Sequence, residues 1–411
     1  MTEALIIDAA RTPRGIGKFG KGALTDMHPQ HLGAAVLKAI KERNNLNTAE
    51  VDDIIWGTSS QRGAQACDLG RMAALDAGYD FRSSGVTLDR FCGSGITSVN
   101  MAASIMSGME DLMIAGGTEM MSMPGRRTAE EGPLMMDAGN MRLRAHVPQS
   151  HQGVCADAIA TMEGISRADL DAGALESQQK ADIAIKNGHF NKSLIAVYKA
   201  DGTLALDHEE FPRPQTTAEG LASLKPAFTQ LADLPLDEKG NTYRSLILQE
   251  HPGLDIKFVH HAGNSSGVVD GAGALLLASP NYAKKHGMKA RARIVAFANV
   301  GDSPTLMLNA PVPAARKVLA KAGLTVDDID LWEINEAFAV VMEKFIRDLK
   351  LDRRKVNVNG GAMALGHPIG ATGSILIGTM LDELERRDLK RGLVTMCAAG
   401  GMAPAIIIER V

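Results

Sequence analysis

Apolar and polar residues alternate along the chain in two kinds of pattern. Short apolar runs are separated by longer segments in which apolar residues recur every three or four positions. The apolar runs of the first half lie at 4–8, 52–57, 85–89 and 112–117, and those of the second half at 270–279, 292–300, 329–335, 393–401 and 404–410. Buried strands that alternate with amphipathic helices are typical of an α/β sheet. The pattern therefore predicts an α/β fold.

Two stretches break this rhythm. From Met120 to about His151 the chain is rich in Met, Gly, Arg and Pro and has no clear period, and a second irregular, charged stretch covers about 229–257. A helical pattern at 154–187 lies between them. Irregular segments of this length in a compact enzyme usually have a function, such as covering a substrate.

The second half of the chain repeats the first. VDDIIWGTSS at 51–60 is matched by VDDIDLWEIN at 326–335, and MIAGGTEM at 113–120 is matched by CAAGGMAP at 397–404, at nearly the same offset. Repetition in a fixed order indicates a duplicated architecture. We therefore predict two similar halves that face each other across a pseudo-two-fold axis.

These features divide the chain into three expected parts. The N-terminal half covers 1–119 and is completed by about 268–289. A loop domain that covers the substrate follows at 120–267, and the C-terminal half covers 290–411.

Composition and charge exclude several function classes. The chain of 411 residues has a formal net charge of −4, which gives no general attraction to nucleic acid or anionic lipid. No stretch approaches the roughly 18 apolar residues that cross a membrane, and neither end carries a targeting signal. The four cysteines, at 67, 92, 155 and 397, form no C-x-x-C pair, which indicates free thiols in a reducing compartment. We expect a cytoplasmic protein that binds neither nucleic acid nor membrane.

One cysteine stands in a turn suited to nucleophilic catalysis. Cys92 lies in DRFCGSGITS, directly before a glycine-flanked turn and the predicted start of a helix. A helix N-terminus and an adjacent histidine both favour the thiolate. The offset of the first repeat, applied to Cys92, leads to His367 in MALGHPIGATGS, so packing of the two halves would bring them together. Gly93 and Gly95 leave room for a thioester and keep backbone N–H groups exposed, as an oxyanion hole requires.

A second thiol, Cys397, precedes the small-residue turn AAGG. Two thiols, one imidazole and backbone donors indicate acyl transfer between thiols with a second proton-transfer step. The competing interpretation is that Cys92 and Cys397 are small buried hydrophobes and that His367 caps a turn. Cys67 and Cys155 have no supporting motif and are expected to be structural.

The adjacent pair His260–His261 raises the question of a metal site. Neighbouring residues of a strand point to opposite faces, and no set of carboxylates and cysteines completes a site. We therefore expect no bound metal.

The residues around these groups resemble the thiolase family over nearly the whole chain. The motifs that carry the resemblance are ARTPRGIGKFG (10–20), DRFCGSG, GGTEMMSM (116–123), AGNSSGVVDGAGALLL (262–277), NEAFA (335–339), NVNGGAMALGHPIGATG (357–373) and CAAGG (397–401). The resemblance implies the thiolase fold, in which the two α/β halves are stacked in the layer order α-β-α-β-α and a loop domain is added.

The resemblance also implies a two-step ping-pong reaction. Cys92 would take the acyl group from an acyl-CoA, activated by His367, and Cys397 would be the general acid and base of the second step. Asn335 would hold a water that, with Nε2 of His367, stabilises the enolate oxygen. The backbone N–H groups of Cys92 and Ala399 would form a second oxyanion hole.

Binding residues follow from the same resemblance. Ser266 matches a serine of the pantetheine channel, His151 a histidine of the covering loop, and Arg213 a basic residue near the nucleotide of coenzyme A. Gly400 belongs to the same set.

The chain departs from the family pattern near these groups. Gln152 stands where biosynthetic members have Met, and Gly220 stands where a serine is expected. Cys-Ala-Ala-Gly-Gly replaces Cys-x-Gly-Gly-Gly, as in long-chain β-oxidation thiolases. The loop at 120–151 is shorter than in biosynthetic thiolases, and the stretch at 229–257 is an insertion.

The sequence thus predicts an acyltransferase of β-oxidation or acetyl-CoA metabolism. It would either cleave 3-ketoacyl-CoA with CoA or condense two acetyl-CoA to acetoacetyl-CoA, with coenzyme A as a substrate and no resident cofactor. The family implies a homodimer or homotetramer. Two alternatives remain: a ketoacyl-synthase-type condensing enzyme, which would lack Cys397, and a non-catalytic acyl-CoA-binding scaffold, which needs none of the catalytic residues.

Overall fold

The computed structural model describes residues 3–123 and 136–411. The first range supplies strands of a large sheet and three helices: β1 (Leu5–Arg11), β2 (Gly15–Ile16), α1 (Pro29–Arg43), β3 (Asp53–Gly57), α2 (Leu69–Asp76), β4 (Val86–Leu88), α3 (Ser94–Ile105) and β5 (Leu112–Met120). Every residue of β5 is buried. A strand that helices cover on both faces has an unbroken run of apolar and small residues, which is why the alternation of surface strands is missing here.

The described part of the covering region contains six helices and one two-stranded sheet; the part of the predicted loop at 124–135 lies outside the described residues. Its elements are α4 (Met141–His146), α5 (Gln152–Glu163), α6 (Arg167–Lys186), β6 (Val197–Tyr198), β7 (Leu204–Leu206), α7 (Ala218–Ala222), α8 (Thr229–Ala232) and α9 (Tyr243–Glu250). The insertion, predicted as irregular, contains α8 and α9, and both pack on α5. Arg144 is buried between Asp137 and Asp237, at 2.8 Å from each carboxylate, and so ties the covering loop to the insertion.

The rest of the chain returns to the sheet. Its elements are β8 (Val269–Ala278), α10 (Pro280–Lys285), β9 (Ala292–Gly301), α11 (Pro311–Ala322), β10 (Leu331–Ile334), α12 (Ala339–Leu349), α13 (Ala362–Leu365), α14 (Thr372–Arg386), β11 (Arg391–Thr395) and β12 (Met402–Arg410). None of the helices in the described ranges has the length and apolar character needed to cross a membrane.

The sheet confirms the predicted duplication. Its strand order is β4-β3-β5-β8-β1-β9-β12-β11-β10, with β2 beside β8. The five main strands of the N-terminal half are, in chain order, β1, β3, β4, β5 and β8. Across the sheet, starting from the outer edge, they lie in the order third, second, fourth, fifth, first. In the C-terminal half, β9, β10, β11 and β12 are the first, second, fourth and fifth strands, and they lie in the same order across the sheet. The third strand of this half is reduced to one bridge between Val356 and Trp332. In both halves the fifth strand runs antiparallel to its neighbours.

Three apolar cores confirm the layer order α-β-α-β-α. One core packs α1 and α2 on the outer face of the N-terminal sheet. Another packs α11 and α12 on the C-terminal sheet and includes residues of α5. The third contains α3 and α14 together with residues of both half-sheets, so these two helices form the central layer.

The central helices meet at two glycines. A Cβ on Gly95 would lie 2.8 Å from the nitrogen of Gly373, and one on Gly373 would lie 2.6 Å from the carbonyl carbon of Gly95. Each glycine is the second residue of its helix, so the two positions are equivalent. Cys92 stands three residues before Gly95, and its counterpart, three residues before Gly373, is therefore Gly370. The prediction that Cys92 and His367 are equivalent is therefore wrong: His367 precedes the true counterpart, although it lies in the equivalent loop.

Candidate active site

Cys92 lies between β4 and α3, at the end of the third strand of the N-terminal half. The Ser94 hydroxyl braces this turn, because it accepts from the N–H of Arg90 (2.8 Å) and donates to the carbonyl of Phe91 (2.7 Å). Phe91 has a φ of +49°, which is uncommon for a bulky residue. The N-terminus of α3 has no side-chain cap. Cys92, 8 % exposed, is thus held at the positive end of a helix.

His367 lies between α13 and α14, and its N–H donates to the carbonyl of Gly267 (2.9 Å). Its Nδ1 lies 2.6 Å from Oγ1 of Thr372, and that hydroxyl donates its hydrogen to the carbonyl of Pro368 (3.0 Å). The hydroxyl must then accept from Nδ1, so the ring hydrogen is on Nδ1 and Nε2 is a free base. Nε2 is buried and has no partner in the described part of the chain.

Asn335 directly follows β10, and its N–H donates to the carbonyl of Thr395 at the end of β11 (3.2 Å). The neighbouring carboxylate of Glu336 anchors this loop, since it accepts from Ser177 Oγ (2.6 Å), Asn357 Nδ2 (2.8 Å) and Met363 N (3.1 Å). The Asn335 side chain is 1 % exposed, and neither atom of its amide has a partner among residues 3–123 and 136–411.

Cys397 follows β11, which pairs in parallel with β10, so it lies beside Asn335. A bridge between Ala398 and Met402 closes the turn after it. Gly400 and Gly401 have φ values of +77° and +75°, which residues with a Cβ rarely adopt.

The electrostatics of the site keep its groups neutral at rest. Burial raises the pKa of Cys92, and the neighbouring Cys397 and Glu119 raise it further. Burial raises the pKa of Cys397 to about 12. Burial, assisted by the charge of Arg14, lowers the pKa of His367 to about 3. Burial thus opposes the ionisation of Cys92 that a helix N-terminus and a neighbouring histidine favour.

Several polar groups of the site are left without partners in the protein. They include Nε2 of His367 and both amide atoms of Asn335. The N–H groups of Cys92 and Ala399 also donate no hydrogen bond to another of the described residues. A buried polar group without a partner costs about 1–3 kcal/mol. The arrangement fits a ligand that brings carbonyl oxygens to the two thiols.

A cleft of about 190 Å³ lies between α6, α7 and the segment before β8. Arg213 and Gly220 line it, together with Phe211. The Phe211 ring lies directly against the backbone of Gly267, where a Cβ would approach to 2.3 Å, and the carbonyl of Gly267 holds His367. Phe211 therefore lies between the cleft and the residue whose carbonyl accepts from the backbone N–H of His367.

The structure places Ser266 and His151 in supporting positions. Ser266 is half-buried next to Gly267, and its N–H donates to the carbonyl of Ala337 in the Asn335 loop (3.0 Å). His151 caps α5, where Nδ1 accepts an N–H of the first turn (3.1 Å). Its ring centroid lies 5.6 Å from that of Phe228 and 5.5 Å from that of Tyr243, so the insertion packs directly on this histidine.

The pair His260–His261 has structural partners. Nδ1 of His260 lies 2.8 Å from Asp157, and Nε2 of His261 lies 2.8 Å from Asp171. No group of three His, Cys, Asp or Glu side chains within the described ranges could hold a metal ion.

The other cysteines lie apart from the site. The buried thiol of Cys155 donates to the carbonyl of Thr305 (3.2 Å), and Cys67 is exposed.

Three supporting residues escaped the sequence analysis. Thr372 fixes the tautomer of His367, and Glu336 anchors the Asn335 loop. Gln178 joins the cleft to the site, because it accepts from the N–H of Arg213 (2.9 Å) and donates to the carbonyl of Met363 (3.3 Å). The first two stand inside quoted motifs, shortly after His367 and directly after Asn335, and could have been examined there. Gln178 lies in a helix with no motif that marks it.

Comparison with known proteins agrees with this geometry. Residues 4–232 match the model of the thiolase N-terminal domain, and residues 288–410 match that of the thiolase C-terminal domain. The chain is 38% identical to the steroid 3-ketoacyl-CoA thiolase FadA6 of Mycobacterium tuberculosis, covering 100% of this chain and 95% of the relative. It is also 38% identical to an acetyl-CoA acetyltransferase of Chromobacterium violaceum, covering 99% of this chain and 100% of the relative.

Solved structures give the same result. Human mitochondrial 3-ketoacyl-CoA thiolase superposes with a TM-score of 0.84 at 32% identity, covering 100% of this chain and 99% of the human one. The two matched domains and the full-length relatives decide against the ketoacyl-synthase alternative. The chain belongs to the thiolase family of acyltransferases.

Proposed function

We propose that the protein transfers acyl groups between CoA thioesters through an acyl-Cys92 intermediate. The observation that carries the proposal is the set of unpartnered buried groups, His367 Nε2 and the Asn335 amide, that lies with the two thiols at the strand ends. A non-catalytic scaffold has no need for such groups, each of which lowers stability when no ligand is bound.

The first half-reaction follows from the neutral resting state. Nε2 of His367 takes the proton of Cys92 as Sγ attacks the 3-keto carbon of a 3-ketoacyl-CoA. The bond between C2 and C3 breaks, and its electrons form the enolate of acetyl-CoA. The protonated imidazole and a water held by Asn335 stabilise the enolate oxygen, and the thiol of Cys397 protonates C2.

The second half-reaction returns both protons. The Cys397 thiolate takes the proton of a CoA thiol, which attacks the acyl-Cys92 thioester. The N–H groups of Cys92 and Ala399 stabilise the oxyanion, since neither donates to another residue of 3–123 and 136–411. The Cys92 thiolate then leaves and recovers its proton from His367. Condensation of two acetyl-CoA is the same sequence in reverse order.

Coenzyme A binding is proposed for the cleft. Arg213, which lines the cleft, supplies a cation for the phosphates of the nucleotide. Ser266 and Gly400 are proposed to contact the pantetheine. Thr217, which lines the cleft next to Gly220, supplies a hydroxyl on the side where the expected serine is missing. The insertion packs directly on His151, which supports a role of the insertion in selecting the length of the acyl chain.

We also propose a homo-oligomer in the cytoplasm. The strand β4 is an edge of the sheet, and exposed apolar side chains flank it, with Val86 at 42 % and Phe81 at 77 % exposure. An exposed edge strand with apolar neighbours favours pairing with a second copy. Light scattering of the purified protein tests this assembly, and a monomer at micromolar concentration contradicts it.

Mass spectrometry after brief mixing with acetoacetyl-CoA tests the reaction. We expect an acetyl adduct on the Cys92 peptide that disappears when CoA is added, with release of acetyl-CoA. Longer 3-ketoacyl-CoAs then determine chain length. If neither short nor long substrates modify Cys92, the protein is a scaffold and the proposal is rejected.

A further inference from the structure

We propose that Glu119 is a positioning residue for this reaction. Its carboxylate holds the His367 loop (residues 366–371) of the C-terminal half against the strand ends of the N-terminal half. The inference rests on the proposed function, because only there must His367 reach Cys92.

Glu119 lies at the end of β5 and is completely buried. Its Oε2 accepts from the N–H and the hydroxyl of Ser59 (2.8 and 2.7 Å) and from the N–H of Gly370 (2.9 Å). Its Oε1 accepts from the side-chain amide of Gln65 (2.9 Å). Each of these four groups donates to the carboxylate. The carboxylate thus joins the end of β5 and the loop between β3 and α2 to the His367 loop of the C-terminal half.

Gly370 stands shortly after His367, and its backbone packs on other glycines. A Cβ on Gly117 would lie 2.2 Å from the Gly370 carbonyl oxygen, and one on Gly57 would lie 2.9 Å from it. Because glycines on both sides have no side chain, the backbones of the two halves come into direct contact here. The hydrogen bond from Gly370 to Glu119 then fixes where the His367 loop lies along that contact. Because a displacement of about 1 Å can cost roughly 100-fold in rate, this bond matters for the distance between His367 and Cys92.

Glu119 also acts on the nucleophile by its charge. The titratable groups that raise the pKa of Cys92 are Cys397, Glu119 and Asp89. Replacing Glu119 therefore has two effects that can be separated: loss of position, which lowers kcat, and loss of charge, which makes Cys92 easier to ionise.

The experiment compares Glu119→Gln, Glu119→Asp and the control Glu110→Gln, which changes an exposed residue just before the other end of β5. Glutamine offers one acceptor oxygen to four donors, so we expect kcat to fall about tenfold or more while KM for acyl-CoA stays within about twofold. The pH midpoint of Cys92 alkylation by iodoacetamide should move down. Aspartate keeps the charge but is shorter, so kcat should fall without a change in that midpoint. Glu110→Gln should behave as the wild type.

The outcomes separate this inference from the function on which it rests. Absence of acyl-Cys92 in the wild type rejects the proposed function. If the wild type forms the adduct and folded Glu119→Gln keeps its kcat and alkylation midpoint, only the role of Glu119 is rejected. If Glu119→Gln does not fold, Ser59→Ala removes one donor and leaves both backbone donors. We then expect kcat to fall about threefold at constant KM, and an unchanged kcat overturns the inference.

Discussion

The two halves present the same strand ends to the active site but use them differently. In the C-terminal half, the loops after the second, third and fourth strands carry Asn335, His367 and Cys397. In the N-terminal half, only the loop after the third strand carries a reacting group, Cys92. The loop after its second strand and the end of its fourth carry Ser59 and Glu119, which bind the His367 loop instead.

The two thiols show what this difference achieves. Cys92 stands before an uncapped helix, where the helix dipole favours the negative charge that develops on an acyl group. Cys397 stands in a strand-to-strand turn, and burial raises its pKa to about 12. A thiol with a high pKa is a strong base once ionised, which suits proton transfer at carbon. With the proposed roles, one duplicated scaffold holds the nucleophile in one half and the acid and base in the other.

The sharpest way to test this division is to remove each thiol in turn. Cys92→Ser should lower turnover by roughly 10⁴-fold and keep the acyl adduct from accumulating, because a hydroxyl is a much weaker nucleophile than a thiol. Cys397→Ser should lower condensation and cleavage by about 10³-fold but still form acetyl-Cys92 from acetyl-CoA. That exchange transfers no proton at carbon, and His367 can return the proton of Cys92 to the departing CoA thiolate without Cys397. Exchange of labelled CoA into acetyl-CoA measures the difference. If Cys92→Ser and Cys397→Ser lose CoA exchange equally, the two thiols do not have separate roles.

Replacing Asn335 separates the two steps by a different route. Asn335→Ala removes the amide that holds the enolate-binding water, so we expect cleavage of acetoacetyl-CoA to fall by about 100-fold. Exchange of CoA into acetyl-CoA forms no enolate and should stay within about threefold. Assay of both reactions on one preparation checks this, and a parallel decline would place Asn335 in the shared nucleophilic step.

The tautomer of His367 is the next point to test. Thr372→Val removes the acceptor of the Nδ1 hydrogen and leaves a buried donor unpaired, which costs about 1–3 kcal/mol. We expect kcat to fall by about 10- to 100-fold. Thr372→Ser is the matched control, because it keeps the hydroxyl, and should retain most of the activity. If valine is tolerated, another group fixes the ring.

The sequence predicts much of this arrangement but not its electrostatics. The alternation of apolar runs predicts the sheet, and the repeat predicts the duplicated halves. Cys92, His367, Asn335 and Cys397 lie in motifs whose positions at strand ends follow from the pattern. The sequence could not show that burial keeps both thiols and the imidazole neutral, because that depends on what packs around them. It also could not show the contact between Glu119 and Gly370, which are far apart along the chain, or the helices within the insertion.

Acid should affect the C-terminal half through His367. The folded pKa of His367 is about 3, whereas an unfolded histidine has a pKa of about 6.5, so the unfolded chain binds the proton in this window. The free energy of unfolding should therefore decrease as the pH falls from about 6.5 towards 3. Denaturant unfolding at several pH values measures the slope, and His367→Asn should reduce it. Burial also lowers the pKa of His151 and His261, so the slope should not vanish.

The smallest effect is expected at Ala399, where the Cys397 turn departs from the family pattern. Ala399 is not among the described residues with positive φ, whereas Gly400 and Gly401 are, so alanine fits this position without strain. Ala399→Gly keeps the N–H proposed for the oxyanion hole and should leave kcat within about twofold. It should lower the free energy of unfolding by about 0.4–1 kcal/mol, because glycine makes the unfolded chain more flexible. Denaturant unfolding and steady-state rates on the same sample check both parts. A large loss of kcat at unchanged stability would mean that the methyl group shapes the acyl site, and the two thiol turns would then differ in substrate contact as well as in chemistry.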